Sequence, residues 1–358
     1  MVLVVHAANF GIRPKGAFQN NVERKLTNGL IRNGHQVLNF SDRDAAMAGS
    51  LLGPHRVGGG KYANKAFRDL CINIRPDVLI LGQTDIVRPE TVADLRDRLP
   101  AMRVLQWSVD ALFEPGNIER LKRNLPVVDA SLVSTAGEAL APLSRPGKRL
   151  GFLPNPVDFS IERGENHLNP DLPFDLFYAC GNPADLREVG GKAWNMDDFM
   201  RALLTALPGI RPKLAGLMGH KGLGGAAYQE ALESAAIGLN ISRRSDQLLY
   251  SSDRLAHLAG NGLAVMIERS TGYDQLFSDD EMVFFSTFDE VVVAIDRLAK
   301  DPAHRMAVAA AGRARYHDLF NERRVAQYVL DLALDRLDPA AYPWPTLYVP
   351  APRASHVI

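Results

Sequence analysis

The residues whose types and order best suit chemistry lie between positions 228 and 285, where strand ends alternate with helix starts. The pattern predicts a short apolar strand at Ile237–Ile241, a polar loop that carries Arg243 and Arg244, and a helix that begins near Ser252. A glycine turn at residues 260–262 ends that helix. Free backbone N–H groups and the helix dipole favour negative charge at such places, so the stretch suits an anionic ligand.

Alternating strands and helices must position these residues. Short apolar runs in the first half are separated by helical patterns, which predicts a parallel sheet with helices on both faces. The first crossover helix ends at Asn33 and Gly34, a good C-cap. Ligands of such sheets bind beyond the carboxyl ends of the strands, which places His6, Asn9, the loop 11–16 and residues 107–110 along one rim. The predicted strands of this half are Val2–Ala7, Gln36–Phe40, Val78–Leu81, Val104–Trp107, Ser131–Ser134 and Leu150–Leu153.

The second half restarts the same pattern, so the fold class predicted is α/β with two doubly wound Rossmann-like domains that face a cleft. The predicted domains are residues 1–160 and 173–337. Residues 161–172 are predicted as a linker because they lack apolar periodicity, and residues 338–358 as a proline-rich tail that cannot be helical. The predicted strands of the second half are Phe174–Ala179, Lys213–Leu217, Ile237–Ile241, Ala264–Ile267 and Met282–Phe284.

Composition narrows the class of protein. The chain has 358 residues, a formal net charge of zero, 46% hydrophobic and 23% charged residues, which is ordinary for a globular protein of two domains. No global field recruits nucleic acid or an anionic membrane. Cys71 and Cys180 lie far apart in apolar segments and are expected to be buried free thiols. The first ten residues suggest a strand rather than a signal peptide. The cytoplasm is therefore the expected location, and a position at the inner face of the membrane is an alternative.

Three motifs carry a resemblance to a known family. Residues 33–37, Asn-Gly-His-Gln-Val, are similar to a pattern that any nucleotide-binding fold can show. Residues 153–158, Leu-Pro-Asn-Pro-Val-Asp, and the later Gly181-Asn182 turn are more specific. The most specific motif is residues 252–257, Ser-Asp-Arg-Leu-Ala-His, followed by Gly262 and residues 273–277. Together they resemble GT-B fold glycosyltransferases, closest to the CgeB-like and glycosyltransferase group 1 enzymes.

The resemblance implies a metal-independent transfer of a sugar from a nucleotide-sugar, with the nucleotide-sugar as substrate and no cofactor. The acceptor would be a glycan, such as a cell-envelope glycan, a lipid-linked molecule or a protein, without nucleic acid and with at most peripheral membrane contact. Arginines aimed at the phosphates would stabilise the leaving group. The donor-binding residues implied are Gly181, Asn182, Arg243, Arg244, Ser252, Arg254, His257, Thr271, Gly272 and Tyr273.

The catalytic candidates are Asp110 and His6, and the acceptor-side loop carries Asn9, Arg13, Lys15 and Gly16. A general base is needed if the anomeric configuration inverts. The sequence itself does not decide the stereochemistry, and the resemblance implies retention, in which Asp110 would only orient the acceptor. Structural alternatives stay open: Asp110 as a helix N-cap and His6 as a satisfied histidine at a strand end.

Several other features have a purely structural interpretation beside the functional one. Arg243 and Arg244 also suit a solvated loop edge, and residues 271–273 also suit a plain turn. Residues 58–61, Gly-Gly-Gly-Lys, lack the context of a phosphate-binding loop and are expected to be a flexible loop. Residues 219–225 are expected to be mobile, with the option of folding over the donor base. The basic residues at 120–123 and 145–149 suggest contact with anionic lipid or, as the alternative, a solvated basic face.

His257 is a departure from the family, which usually carries a ribose-binding glutamate there. A neutral imidazole can make one hydrogen bond to a hydroxyl but not the bidentate contact of a carboxylate. Leu249 and Tyr250 stand near the place of the family's other glutamate. Two alternative functions remain. A nucleotide-sugar epimerase on the same scaffold would need added acid or base residues in the cleft, and a non-catalytic nucleotide- or sugar-binding relative is suggested by the His257 departure. No metal site is predicted, because the acidic pairs at 197–198 and 279–280 suit helix starts.

Overall fold

The computed structural model describes residues 1–11, 16, 19–50 and 58–350. In these ranges, the strands are β1 Leu3–Ala8, β2 Gln36–Ser41, β3 Val78–Gly82, β4 Arg103–Ser108, β5 Ala130–Val133, β6 Arg149–Phe152, β7 Phe174–Ala179, β8 Arg187–Val189, β9 Lys192–Trp194, β10 Pro212–Ala215, β11 Ala235–Asn240, β12 Ala264–Glu268 and β13 Val283–Phe285. The α-helices are α1 Val22–Arg32, α2 Asp42–Ala48, α3 Gly59–Ile74, α4 Pro89–Arg98, α5 Pro115–Asn124, α6 Met196–Ala206, α7 Ala226–Glu233, α8 Arg254–Gly260, α9 Phe288–Lys300, α10 Pro302–Phe320 and α11 Glu322–Ala333.

The chain divides into two compact units, and each has its own parallel sheet. The first unit comprises Met1–Asn9, His35–Leu153 and Tyr328–Ile358, and the second comprises Phe10–Gly34 and Pro154–Gln327. The predicted boundaries at residues 160, 172 and 337 stay predictions. Within the segment predicted as a linker, Glu162 and Asn166 are buried.

The sheet of the first unit has the strand order β2-β1-β3-β4-β5-β6 in the described residues, and every pair is parallel. Helices α3 and α4 bury Phe67, Cys71 and Leu95 against one group of strand side chains. A separate cluster that includes Leu121 of α5 and Leu140 packs with Val133 and Leu150. Helices α3 and α4 and the α5 segment thus cover the sheet through separate cores, as the predicted doubly wound sheet requires.

The sheet of the second unit has the strand order β10-β7-β11-β12-β13 in the described residues and is also parallel. Its core contains Met196, Phe199 and Leu203 of α6 together with Ile295 and Leu298 of α9. The strands of both halves agree with the sequence predictions, and the fold class, α/β with two Rossmann-like domains, is confirmed.

The structure confirms some of the local sequence predictions and contradicts one. Gly34 has φ +84° after the α1 C-cap at Asn33, as expected, and Cys71 and Cys180 are buried free thiols. The flexible loop expected at 58–61 is wrong, because α3 begins at Gly59 with Gly58 as its N-cap at φ +87°. The β8–β9 hairpin is an addition, since its strands are too short to show a period in the sequence.

Candidate functional site

A pocket of about 580 Å³ opens at the carboxyl ends of β7, β10 and β11 in the second unit. Its wall combines the last residues of these strands with the loops that follow them. The lining residues are Ala179, Cys180, Gly181, Arg187, Ala215, Gly216, His220, Gly222, Leu223, Tyr228, Ile241, Ser242, Arg243, Tyr250, Ser252, Asp253 and Arg254. The pocket therefore occupies the place where parallel α/β sheets bind their ligands.

Glycine makes the floor of this pocket possible. Gly216 follows β10 with φ +78°, and a Cβ there would lie 1.9 Å from the carbonyl oxygen of Cys180. Any side chain at this position would both strain the backbone and push it away from the end of β7. Gly216 thus lets the chain after β10 pass close to the end of β7.

Arg254 connects the first turn of α8 to the ends of two strands. Its guanidinium donates to the carbonyl oxygen of Ala179, to that of Ile241 at 2.8 Å and to Oδ1 of Asn240 at 3.2 Å. The side chain is 8% exposed and lies 5.1 Å from the centre of the Tyr178 ring. Because three of its N–H groups already bond protein oxygens, Arg254 contributes a fixed positive charge in the pocket wall.

Two further arginines lie at the pocket. Arg187, at the start of β8, donates from Nη2 to the sulfur of Cys180 at 3.2 Å, while its buried Nε has no hydrogen-bond partner among the described residues. Arg243 lies 4.0 Å from the carboxylate of Asp185. A buried N–H without a partner is costly, so Arg187 is suited to a ligand that accepts a hydrogen bond.

The predicted donor residues fall into two groups. Gly181, Arg243, Ser252 and Arg254 line the pocket. The other predicted residues do not line it in this structure: Asn182, Arg244, His257, Thr271, Gly272 and Tyr273.

Of this second group, Arg244 forms a bidentate pair with Asp246, and Asn182 bonds Asp185 at 2.9 Å. Thr271 accepts the N–H of Leu249 at 2.7 Å through its carbonyl oxygen, and the buried Tyr273 hydroxyl donates to the carbonyl oxygen of Leu249 at 3.0 Å. These contacts hold the segment that carries Tyr250, Ser252 and Asp253 into the pocket. Between Thr271 and Tyr273, Gly272 adopts φ +79°.

His257 belongs to a buried chain of charged groups. Its Nδ1 lies 2.9 Å from Oε1 of Glu162, and its Nε2 lies 3.7 Å from Oδ2 of Asp253. Lys25 of α1 reaches the same Glu162 oxygen at 2.5 Å, and both of those side chains are fully buried. Burial lowers the pKa of His257, and the nearby Lys25 acts the same way, but the neighbouring carboxylates of Asp253 and Glu162 outweigh them and raise it overall. His257 is thus directed at protein carboxylates in this structure.

The catalytic candidates lie in the first unit. Asp110 follows β4, and Oδ2 of its carboxylate accepts from Arg120 at 2.6 Å. His6 is fully buried in β1 and accepts from Nε1 of Trp107 at 3.2 Å. Burial lowers the pKa of His6 to about 3, so its imidazole stays neutral. Their catalytic roles stay predictions.

The acceptor-side residues are partly described. Asn9 is half-buried at the end of the first unit's opening segment, and Gly16 is exposed with φ +80°. Arg13 and Lys15 lie outside the described residues.

Several of the basic residues of the first unit that suggested lipid contact are engaged by protein groups. Arg120 pairs with Asp110, Lys122 with Glu119, and Lys148 donates to the carbonyl oxygen of Val128 at 2.6 Å. Across the described ranges, no helix is both long and apolar enough to cross a membrane. In the same ranges, no group of three or more His, Cys, Asp or Glu side chains could hold a metal ion.

Sequence reasoning missed several pocket residues. Arg187 lies in the unexpected hairpin, and Asp253 was passed over because the family's carboxylate belongs four residues later. His220, Gly222 and Leu223 come from the glycine-rich stretch at 219–225, whose optional role near a donor base was the one available signal.

A family model matches the part of the chain that carries most of the pocket. Residues 187–331, less than half of the chain, match the family described as "Glycosyl transferase-like", and they contain most of the pocket. No curated protein matches the sequence.

Solved structures of similar fold cover nearly the whole chain. Sucrose-phosphate synthase from Thermosynechococcus elongatus has a TM-score of 0.56 at 12% identity, over 93% of this chain and 98% of that one. AviGT4, a glycosyltransferase involved in avilamycin A biosynthesis, has a TM-score of 0.56 at 14% identity, over 93% and 97%. HepE from Anabaena in complex with UDP-glucose has a TM-score of 0.56 at 11% identity, over 94% and 100%. At these identities the likeness defines the fold.

The chain has the GT-B fold of these glycosyltransferases, and residues 187–331 match a glycosyltransferase-like family, in agreement with the predicted enzyme class. The assignment to the CgeB-like group stays a prediction.

Proposed function

We propose that this chain transfers a sugar from a nucleotide-sugar donor to a glycan, lipid-linked or protein acceptor, without a metal ion and with retention of configuration. The observation that carries the proposal is the pocket of the second unit, where Arg187, Arg243 and Arg254 converge at the carboxyl ends of parallel strands. A nucleoside diphosphate is the ligand class that best matches this concentration of positive charge.

The chemistry of the leaving group explains why arginines matter. As the bond between the sugar and the diphosphate breaks, negative charge grows on the phosphate oxygens. Positive groups fixed at that position stabilise the transition state more than the ground state. Arg254 is suited to this task because protein carbonyls already hold its guanidinium in place. The arginines would then supply the charge that a metal ion supplies elsewhere.

The identity of the donor draws support from a similar fold. HepE from Anabaena was solved with UDP, with UDP and glucose, and with UDP-glucose. We therefore place a nucleoside diphosphate sugar in the pocket of the second unit, with the base toward the loop of His220, Gly222 and Leu223.

Retention fits the two catalytic candidates. His6 is neutral and fully enclosed, and Asp110 is engaged by Arg120. The ring of His6 is not accessible, and the carboxylate of Asp110 is already paired. In a retaining transfer the departing phosphate can itself accept the proton of the acceptor, so no strong base is required, and Asp110 would orient the acceptor.

Product analysis tests the proposal. The protein would be incubated in EDTA with UDP-, GDP-, ADP- and TDP-sugars, and diphosphate release and the sugar products would be followed by NMR. Release of one nucleoside diphosphate, accelerated by a glycan acceptor and with the anomeric configuration kept, is expected. An isomerised nucleotide sugar with its phosphate bond intact would support the epimerase instead. Binding without any turnover would support the non-catalytic relative.

A further inference from the structure

One acidic side chain stands in an otherwise cationic pocket. Among the described residues that line it, Asp253 is the acidic one, beside Arg187, Arg243 and Arg254. The Asp253 side chain is 43% exposed, so a ligand can reach it. A carboxylate repels phosphate, and its place here calls for a part of the ligand that donates hydrogen bonds.

Buried groups hold this carboxylate from behind. Glu162 accepts from Nζ of Lys25 at 2.5 Å and from the backbone N–H of Asp158 at 2.8 Å. Because an ionised carboxylate only accepts hydrogen bonds, His257 must donate its Nδ1–H to Glu162, across 2.9 Å. Nε2 of His257 then faces Asp253 at 3.7 Å.

The ring of His257 is held on its other side as well. Tyr228 of α7 contacts it edge-on, with ring centres 5.6 Å apart. The imidazole therefore has one orientation, set by Lys25 and Glu162 on one side and by Tyr228 on another. An arrangement this enclosed fixes the position of Asp253 relative to the pocket.

Building on the proposed function, we propose that Asp253 accepts hydrogen bonds from hydroxyl groups of the bound nucleotide sugar, while the arginines take the phosphates. Lys25, Glu162 and His257 act as positioning residues for that carboxylate. The two oxygens of Asp253 suit a pair of adjacent hydroxyls, which both the ribose and the transferred sugar can offer.

The charge of Asp253 supports this role. Loss of water around the group works against ionisation, but the nearby His257, Lys25 and Arg254 lower its pKa to about 2. Asp253 is therefore a charged acceptor throughout the neutral range. Hydrogen bonds to charged groups are stronger than those between neutral groups.

Asp253→Asn tests the carboxylate, because the amide keeps the shape but loses the charge and one acceptor oxygen. Isothermal titration in EDTA would use UDP, GDP and ADP, their 2′-deoxy counterparts, and UDP- and GDP-glucose. If the ribose is the partner, the variant binds the diphosphate about tenfold or more weakly, and the preference for ribose over deoxyribose disappears. If the transferred sugar is the partner, only the affinity for the nucleotide sugar falls.

Two results would overturn the inference in distinguishable ways. Wild-type affinity of Asp253→Asn for every probe, with weakened binding in Arg187→Ala, would remove the role of Asp253 and leave the proposed function standing. Binding of no probe by the wild type would remove the proposed function and this inference together.

His257 offers a matched pair of variants. A glutamine amide reaches the position of Nε2, whereas an asparagine amide reaches only that of Nδ1. His257→Gln should therefore keep the wild-type discrimination between the probes, and His257→Asn should lose it, with thermal unfolding followed on both as the folding control. Equal discrimination in the two variants would show that His257 has no positioning role.

Discussion

Replacing Lys25 with methionine should destabilise the second unit strongly. The ammonium of Lys25 and the carboxylate of Glu162 are 2.5 Å apart, and both side chains are 0% exposed. Methionine keeps most of the apolar stem but leaves Glu162 with His257 and one backbone N–H as partners. Breaking a buried pair from one side costs about 3–5 kcal/mol of unfolding free energy. Lys25 also donates to the carbonyl oxygen of Pro156 at 3.0 Å, which adds about 1 kcal/mol.

A double-mutant cycle separates the contribution of the Lys25–Glu162 ion pair from the other contributions of Lys25 to stability. Glu162→Gln alone leaves a buried ammonium without its counter-charge and should cost about as much as Lys25→Met. The double variant has no unpaired charge and should lose only about 2 kcal/mol, far less than the sum of the single losses. The exposed pair Lys65–Asp69, with 76% and 43% exposure, is the control, and Lys65→Met should cost no more than about 1 kcal/mol.

The pH dependence has a definite sign. Burial raises the pKa of Glu162, but Lys25 and His257 outweigh burial and lower it overall. Glu162 therefore stabilises the wild type above its unfolded pKa, and this contribution is lost as the pH falls through the folded pKa. In Lys25→Met we expect burial to dominate and the pKa of Glu162 to rise. The variant then loses stability as the pH rises, so its deficit should be largest at neutral pH and should shrink in acid.

Urea unfolding followed by tryptophan fluorescence measures these differences. Trp194 lies in the second unit, packed against Phe199 and Phe288, so a background of Trp107→Phe and Trp344→Phe makes the signal report on that unit. A deficit for Lys25→Met as small as that of Lys65→Met, or one independent of pH, would refute the reasoning.

Three further outcomes follow from individual contacts. Gly29→Ala should lower the free energy of unfolding by about 2 kcal/mol or more, because its Cβ would lie 2.0 Å from the carbonyl oxygen of Glu322. Gly116→Ala, which has nothing within 4 Å of its Cβ, should leave stability unchanged, and thermal unfolding of both variants measures the difference. Arg187→Ala should weaken nucleoside diphosphate binding by about tenfold or more in isothermal titration, and Arg244→Ala, outside the pocket lining, should change it by less than about threefold. His257→Glu places a third carboxylate beside those of Glu162 and Asp253, so it should lower the midpoint of thermal unfolding at pH 7. Part of this loss should be recovered at pH 5. An unchanged midpoint would contradict the buried contacts of His257 with the two carboxylates.

The strands were predictable because their signal is local. The five buried residues of β3 form an unbroken apolar run in the sequence, and β11 is apolar up to Asn240. Helix ends such as Asn33–Gly34 carry their own cap residues. Such local patterns predict the individual strands and helices, and the alternation of strands with helices predicts the doubly wound sheets.

The site was less predictable because its key contacts join distant segments. Nothing near Lys25 in the sequence shows that it meets Glu162, nor that residues 10–34 group with the second unit. His257 was expected at the ligand because of its place in a motif, yet the buried Glu162 directs it away from the lining of the pocket. Arg187 was overlooked because a three-residue strand has too few residues for a period.

The most direct test of the central claim is the thermal stability of the wild type and of the double variant Arg187→Ala, Arg243→Ala with UDP, GDP, ADP and TDP in EDTA. We predict that one diphosphate stabilises the wild type by about 2.7 kcal/mol at a hundred times its dissociation constant. The double variant should show little of this gain at the same concentration. No stabilisation of the wild type by any diphosphate, or an equal gain in the double variant, would contradict the assignment of the pocket.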